Sequence, residues 1–66
     1  MDIYFETGRM AKLRALLAAD GWQLGRSGPT GLTATHRAVL DQPTARARLF
    51  RAGLLTSGWL RIDFGR

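Results

Sequence analysis

The chain has 66 residues, 45% of them hydrophobic, with ten Lys and Arg against five Asp and Glu, a net charge of +5 and no cysteine. That length predicts one small domain, 1–66, which buries only roughly 60% of the surface of its extended chain, and a second domain, a fully enclosed cleft or a large cofactor pocket is not expected. Without cysteine there is no disulfide framework, thiolate metal site or thiol nucleophile.

Asp2 to Glu6 reads as a first strand, with Ile3 and Phe5 on one face and Tyr4 on the other. Thr7 then offers a side-chain oxygen at a helix N-terminus. From Arg9 to Asp20 the period becomes helical: Met10, Leu13 and Leu17 recur at i, i+3 and i+7, Leu16 widens the stripe, and Lys12 points away. Gly21 is placed to cap that helix with a positive φ. Trp22 to Leu24 is a short second strand with Trp22 in the core. Gly25 to Gly31, three glycines and a proline in seven residues, is a turn, and Leu32 to His36 is a third strand, with Leu32 and Ala34 on one side and Thr33 and Thr35 on the other. A second helix starts after Asp41, a good N-cap, tolerates Pro43 in its first turn and stops at Ala52. Gly53 is set as its left-handed residue, with Leu54 and Leu49 spaced for the apolar contact of a Schellman ending. Trp59 to Phe64 alternates as a last strand: Leu60, Ile62 and Phe64 inward, Trp59, Arg61 and Asp63 outward.

The order is β-α-β-β-α-β. It predicts a compact α+β sandwich of the ferredoxin-like kind, an antiparallel sheet with strands one and three central and two helices on one face. An open α+β meander of the same elements is the alternative. A short echo runs through both halves: Leu16-Leu17 precedes Gly21-Trp22, and Leu54-Leu55 precedes Gly58-Trp59. The longest apolar run, Ala15 to Ala19, is far short of the ~20 residues of a membrane span. Met1-Asp2-Ile3 also lacks the basic-then-apolar opening of a secretory signal. A cytoplasmic domain with no membrane partner is expected.

Charge placement narrows the function. Nine of the ten basic residues are Arg, which suits planar contact with phosphates and carboxylates, although a G- and C-rich coding sequence produces the same bias. Arg9, Lys12, Arg14, Arg46, Arg48 and Arg51 all fall within the two helices, so six of ten cations are expected on one side. The uncovered sheet face is expected to carry Asp2, Tyr4, Glu6, Gln23, Thr33, Thr35, Trp59, Arg61 and Asp63, a mixed surface. The plain alternative is that the basic side chains only solvate the helix exteriors.

Tests for chemistry return little. His36 is the sole histidine, at a strand end, and neither Ser27 nor Ser57 stands in a spacing that suggests a triad. One histidine and five dispersed acids offer no metal set. Gly25-x-x-Gly28-x-x-Gly31 lacks the Lys-Ser/Thr ending of a phosphate loop and opens a strand instead of a helix. Tyr4 has no second aromatic opposite it, since Thr33 and Thr35 occupy the matching positions, so a standard RNA-stacking platform is not expected. Trp59 either caps the core's rim or anchors a partner.

No catalytic, cofactor or metal residue is therefore predicted, and the chain is expected not to be an enzyme. The leading expectation is a binding or regulatory module that uses Arg9, Lys12, Arg14, Arg46, Arg48 and Arg51 against nucleic acid or an acidic protein surface. The second is a phage- or mobile-element-type inhibitor or adaptor that binds one host protein complex stoichiometrically, with Trp59 as anchor and an edge strand added to the partner's sheet. A homodimeric domain is the third.

Overall fold

Each half of the chain runs strand, helix, strand in the computed structural model, which describes residues 1–55 and 58–64. Strand β1 (Ile3–Thr7) leads into helix α1 (Met10–Ala19) and strand β2 (Gln23–Ser27). Strand β3 (Gly31–Thr35) leads into helix α2 (Gln42–Arg51) and strand β4 (Leu60–Asp63). The sheet order is β2-β3-β1-β4 with every neighbouring pair antiparallel. This is the ferredoxin-like arrangement that the element order predicts.

The alternation within the strands decides where the helices sit. Ile3 and Phe5 of β1, Leu32 and Ala34 of β3 and Leu60 of β4 are buried, and they share one cluster with Leu13 and Leu17 of α1 and Ala45 and Leu49 of α2. One cluster fed by one set of alternate strand residues and by both helices places both helices on the same face. Trp22, just ahead of β2, closes the cluster with its ring edge-on to Phe5 at 6.2 Å.

Both helices stop in the same way. The amides of Trp22 and Gly21 bond the carbonyls of Leu17 and Ala18, and those of Leu54 and Gly53 bond Leu49 and Phe50. Gly21 and Gly53 take φ of 85° and 78°. These are two Schellman endings, each with a buried apolar residue after the glycine packed into the same core as its partner one turn back. At its start α2 is capped by Asp41, whose Oδ1 accepts from the Thr44 amide at 2.9 Å. That bonding by Thr44 holds the Asp41 carboxyl below its ordinary range.

Several element boundaries differ from the sequence reading, β3 among them, which runs Gly31–Thr35 instead of Leu32 to His36. Helix α1 begins at Met10, because Arg9 is its N-cap at φ −116° and ψ 60° with no side-chain cap. Thr7 ends β1 buried, its Oγ1 donating to the Trp59 carbonyl at 2.8 Å and accepting the Arg9 amide at 2.9 Å. Strand β2 starts at Gln23 and runs on to Ser27, into the expected turn. A register shift lies between Leu24, opposite Ala34, and Ser27, opposite Leu32. This bulge sets Gly25 and Arg26 against the single Thr33, whose hydroxyl accepts the Arg26 amide at 3.0 Å. Strand β4 starts at Leu60, so Trp59 precedes it and does not follow its alternation. The Trp59 ring, expected outward, packs half-buried against the core. Ser57, weighed above as a nucleophile, lies outside the described residues.

Candidate interface on the helical face

The six helical cations do not behave as a set. Arg48 is half-buried and pairs with Asp20, Nη1 to Oδ1 at 3.2 Å. The other carboxylate oxygen of Asp20 accepts from Trp22 Nε1 at 3.0 Å, and the Asp20 carbonyl lies 3.0 Å from His36 Nε2. Asp20 therefore ties the end of α1 to α2, to the start of β2 and to the end of β3. Arg48 is part of that tie. The sequence reading placed it on the binding surface, but its charge is met by a carboxylate of its own chain.

Lys12 stands with Nζ 5.1 Å from the Trp59 ring centroid, and Arg46 stands 5.1 Å from that of Phe64. Each helix thus rests a cation on an aromatic ring at one end of β4. Trp59 is committed to this contact and to the core's rim. Arg14 donates through Nη2 to Ser27 Oγ, a bond reached because the bulge turns Ser27 to the helical side. Arg9, Lys12, Arg14, Arg46 and Arg51 are all exposed, and the ion pairs among the described residues are Arg48–Asp20 and Arg61–Glu6. Five of the six helical cations thus meet no carboxylate of the described chain.

Between the cations the outward helix surface is apolar. With 100° per residue, burial of Leu13 and Leu17 turns Ala11, Ala15 and Ala18 to solvent, and burial of Ala45 and Leu49 turns Pro43, Ala47 and Phe50 outward. All six are exposed. Phe50 is 62% exposed, lies between Arg46 and Arg51 in helix phase, and Leu40, just before α2, is 83% exposed. Neither residue figures in the sequence reading. The signal for Phe50 was its phase: it stands one step, about 100°, off the buried Ala45–Leu49 line.

The opposite sheet face is mixed, as expected, with one exchange of members. Trp59 leaves it and Arg26 joins it, lining a shallow groove with Tyr4, Pro29, Thr30 and Thr33. Glu6 and Arg61 pair there at 3.7 Å, with the Arg61 side chain 88% exposed, a geometry worth little. His36 packs its ring against Trp22 at 5.3 Å, and Nδ1 accepts from the Ala38 amide at 3.0 Å. That acceptor role makes Nε2 the protonated nitrogen, donating to the Asp20 carbonyl. Both ring nitrogens are thus engaged in structure. Among the described residues no three or more His, Asp or Glu side chains come together as a metal-binding group, and every buried side-chain polar atom has a partner. No helix among them is long and apolar enough to cross a membrane.

No protein-family model matches the chain, and no curated protein or solved structure is significantly similar to it.

Proposed function

We propose that this chain is a non-enzymatic binding module whose helical face docks on an acidic protein surface. Phe50 carries the reading: a ring 62% exposed, beside Pro43 and Ala47 and framed by Arg46 and Arg51. An apolar centre with a charged rim is the composition of a protein interface, where aromatic residues and Arg are enriched. Arg9 at the N-cap of α1 and Lys12 and Arg14 within it extend the rim, and cations that meet no carboxylate of the described residues steer an acidic partner and select against basic ones. In this reading the chain acts stoichiometrically, as an inhibitor or adaptor of one complex.

Nucleic acid is the second reading, favoured by the five exposed helical cations. If all five met phosphates on duplex DNA, the log–log salt slope would be about −4 to −5. Affinity capture from native lysate with and without nuclease separates the two. The protein reading expects one partner, near 1:1, retained after nuclease and lost from the Phe50→Ser chain. Capture abolished by nuclease supports the second reading instead.

A further inference from the structure

The two borders of the sheet are unlike. Strand β2 carries the bulge at Gly25 and Arg26, a device that spoils an edge for further pairing. Strand β4 pairs with β1 in unbroken register from Tyr4↔Asp63 to Thr7↔Leu60, and among the described residues no strand covers its other edge. Its four residues carry no proline, glycine or bulge, and its two charges, Arg61 and Asp63, are opposite in sign and so can complement a second strand. Ile62, and Phe64 just beyond the strand, are only half-buried. An edge of this kind is a template for another strand.

We propose that β4 pairs antiparallel with β4 of a second copy, about a two-fold axis through Ile62, making one eight-stranded sheet from two chains. The strand's own charges select this occupant and this register. Directly opposed residues in an antiparallel pair point to the same face, so a continuous sheet with matching faces admits only registers of like parity. Centred on Arg61, the pairing sets Arg61 against the partner's Arg61. Centred on Asp63, it sets Asp63 against the partner's Asp63. Centred on Ile62, it sets Arg61 against the partner's Asp63 and Asp63 against the partner's Arg61, while on the helical side Ile62 meets its own copy and Leu60 meets the partner's Phe64. Only the Ile62 register turns both charged contacts attractive, and it is self-complementary, as a two-fold interface must be. The same symmetry sets both helical layers on one side, so the two cationic faces point the same way.

The inference stands apart from the proposed docking function, and its test uses the purified chain alone. Sedimentation equilibrium from about 10 μM to about 1 mM should show a mass rising from 7.3 kDa toward twice that value. Arg61→Asp and Asp63→Arg each place like charges opposite one another and should weaken self-association about tenfold. An equimolar mixture of the two should associate again, because every cross-chain pair is then opposite in sign, and the double charge swap should restore the homodimer. In the wild-type chain, amide exchange across Leu60 to Phe64 should slow with concentration while that of β2 does not. A wild-type mass of 7.3 kDa throughout overturns the inference. So does dimerisation of each single variant at wild-type strength, a mixture that stays monomeric while both variants are folded by circular dichroism, or exchange in β4 independent of concentration.

Discussion

Asp20 joins three other residues through its side chain and its backbone. Its carboxylate holds Arg48 and Trp22, and its carbonyl takes the His36 ring. Replacing it by Ala strands the buried Trp22 Nε1 and the half-buried Arg48 guanidinium, so urea denaturation should show a loss of about 1–3 kcal/mol. Arg48→Met, which removes one partner and keeps the apolar stem, should cost under about 1 kcal/mol. For a chain whose whole stability is expected at roughly 3–10 kcal/mol, the first change is large and the second is not. Phe50 should be the reverse. With its ring 62% exposed, Phe50→Ser is expected to leave stability within about 0.5 kcal/mol while removing the anchor of the proposed interface. Equal losses of stability and binding in that variant would mean that the ring serves the fold.

At the scale of elements, the helix ends are the most sharply specified features. Gly21 and Gly53 both sit at positive φ in Schellman endings, so Gly53→Ala should destabilise by about 1 kcal/mol in chemical denaturation. At the other end of α2, Asp41 is charged and hydrogen-bonded by Thr44 in the fold. Its folded pKa lies below the unfolded value. The cap's contribution is therefore complete above the ordinary carboxylate range and is lost as pH falls through the lowered folded pKa. Comparing melting temperatures of the wild type and Asp41→Ala should show a gap at pH 7 that closes in acid. A gap independent of pH would contradict the cap.

The same elements show how much could be read in advance. Both helices, their glycine stops, the Leu60 and Ile62 alternation and the strand order were legible, because each rests on local chemistry or on a single period. The bulge was not. Thr33, across the hairpin, holds the Arg26 amide, and no period within β2 announces a partner's hydroxyl. Alternation does not reach Trp59, because it precedes the strand, where Thr7 and Lys12 set its position. Arg48 was counted with the binding cations because its partner Asp20 lies 28 residues away. The candidate site was thus legible as a set of charges on one side and hidden as a surface. Phe50, Pro43 and Ala47 emerge only once packing fixes the phase of α2.

For the molecule as a whole, a single sheet with both helices on one face makes two chemically distinct sides. The helical side pools five cations unmet by described carboxylates around exposed apolar ridges. The open side mixes Tyr4, Glu6, Arg26, Arg61 and Asp63. With a net charge of +5, any acidic partner should associate more slowly as salt rises, and the association rate should depend on the helical cations more than the final affinity does. Stopped-flow association at low and high salt would show a steeper dependence for the wild type than for Arg46→Glu. The central claim is that the helical side carries the binding. Its most direct test is quantitative capture from nuclease-treated lysate by three folded chains: wild type, Phe50→Ser with Arg51→Glu on the helical side, and Arg26→Glu on the sheet side. The account predicts that wild type and Arg26→Glu retain the same stoichiometric partner and that the helical variant loses it. Retention by the helical variant together with loss by Arg26→Glu would place the binding surface on the open sheet and contradict the account.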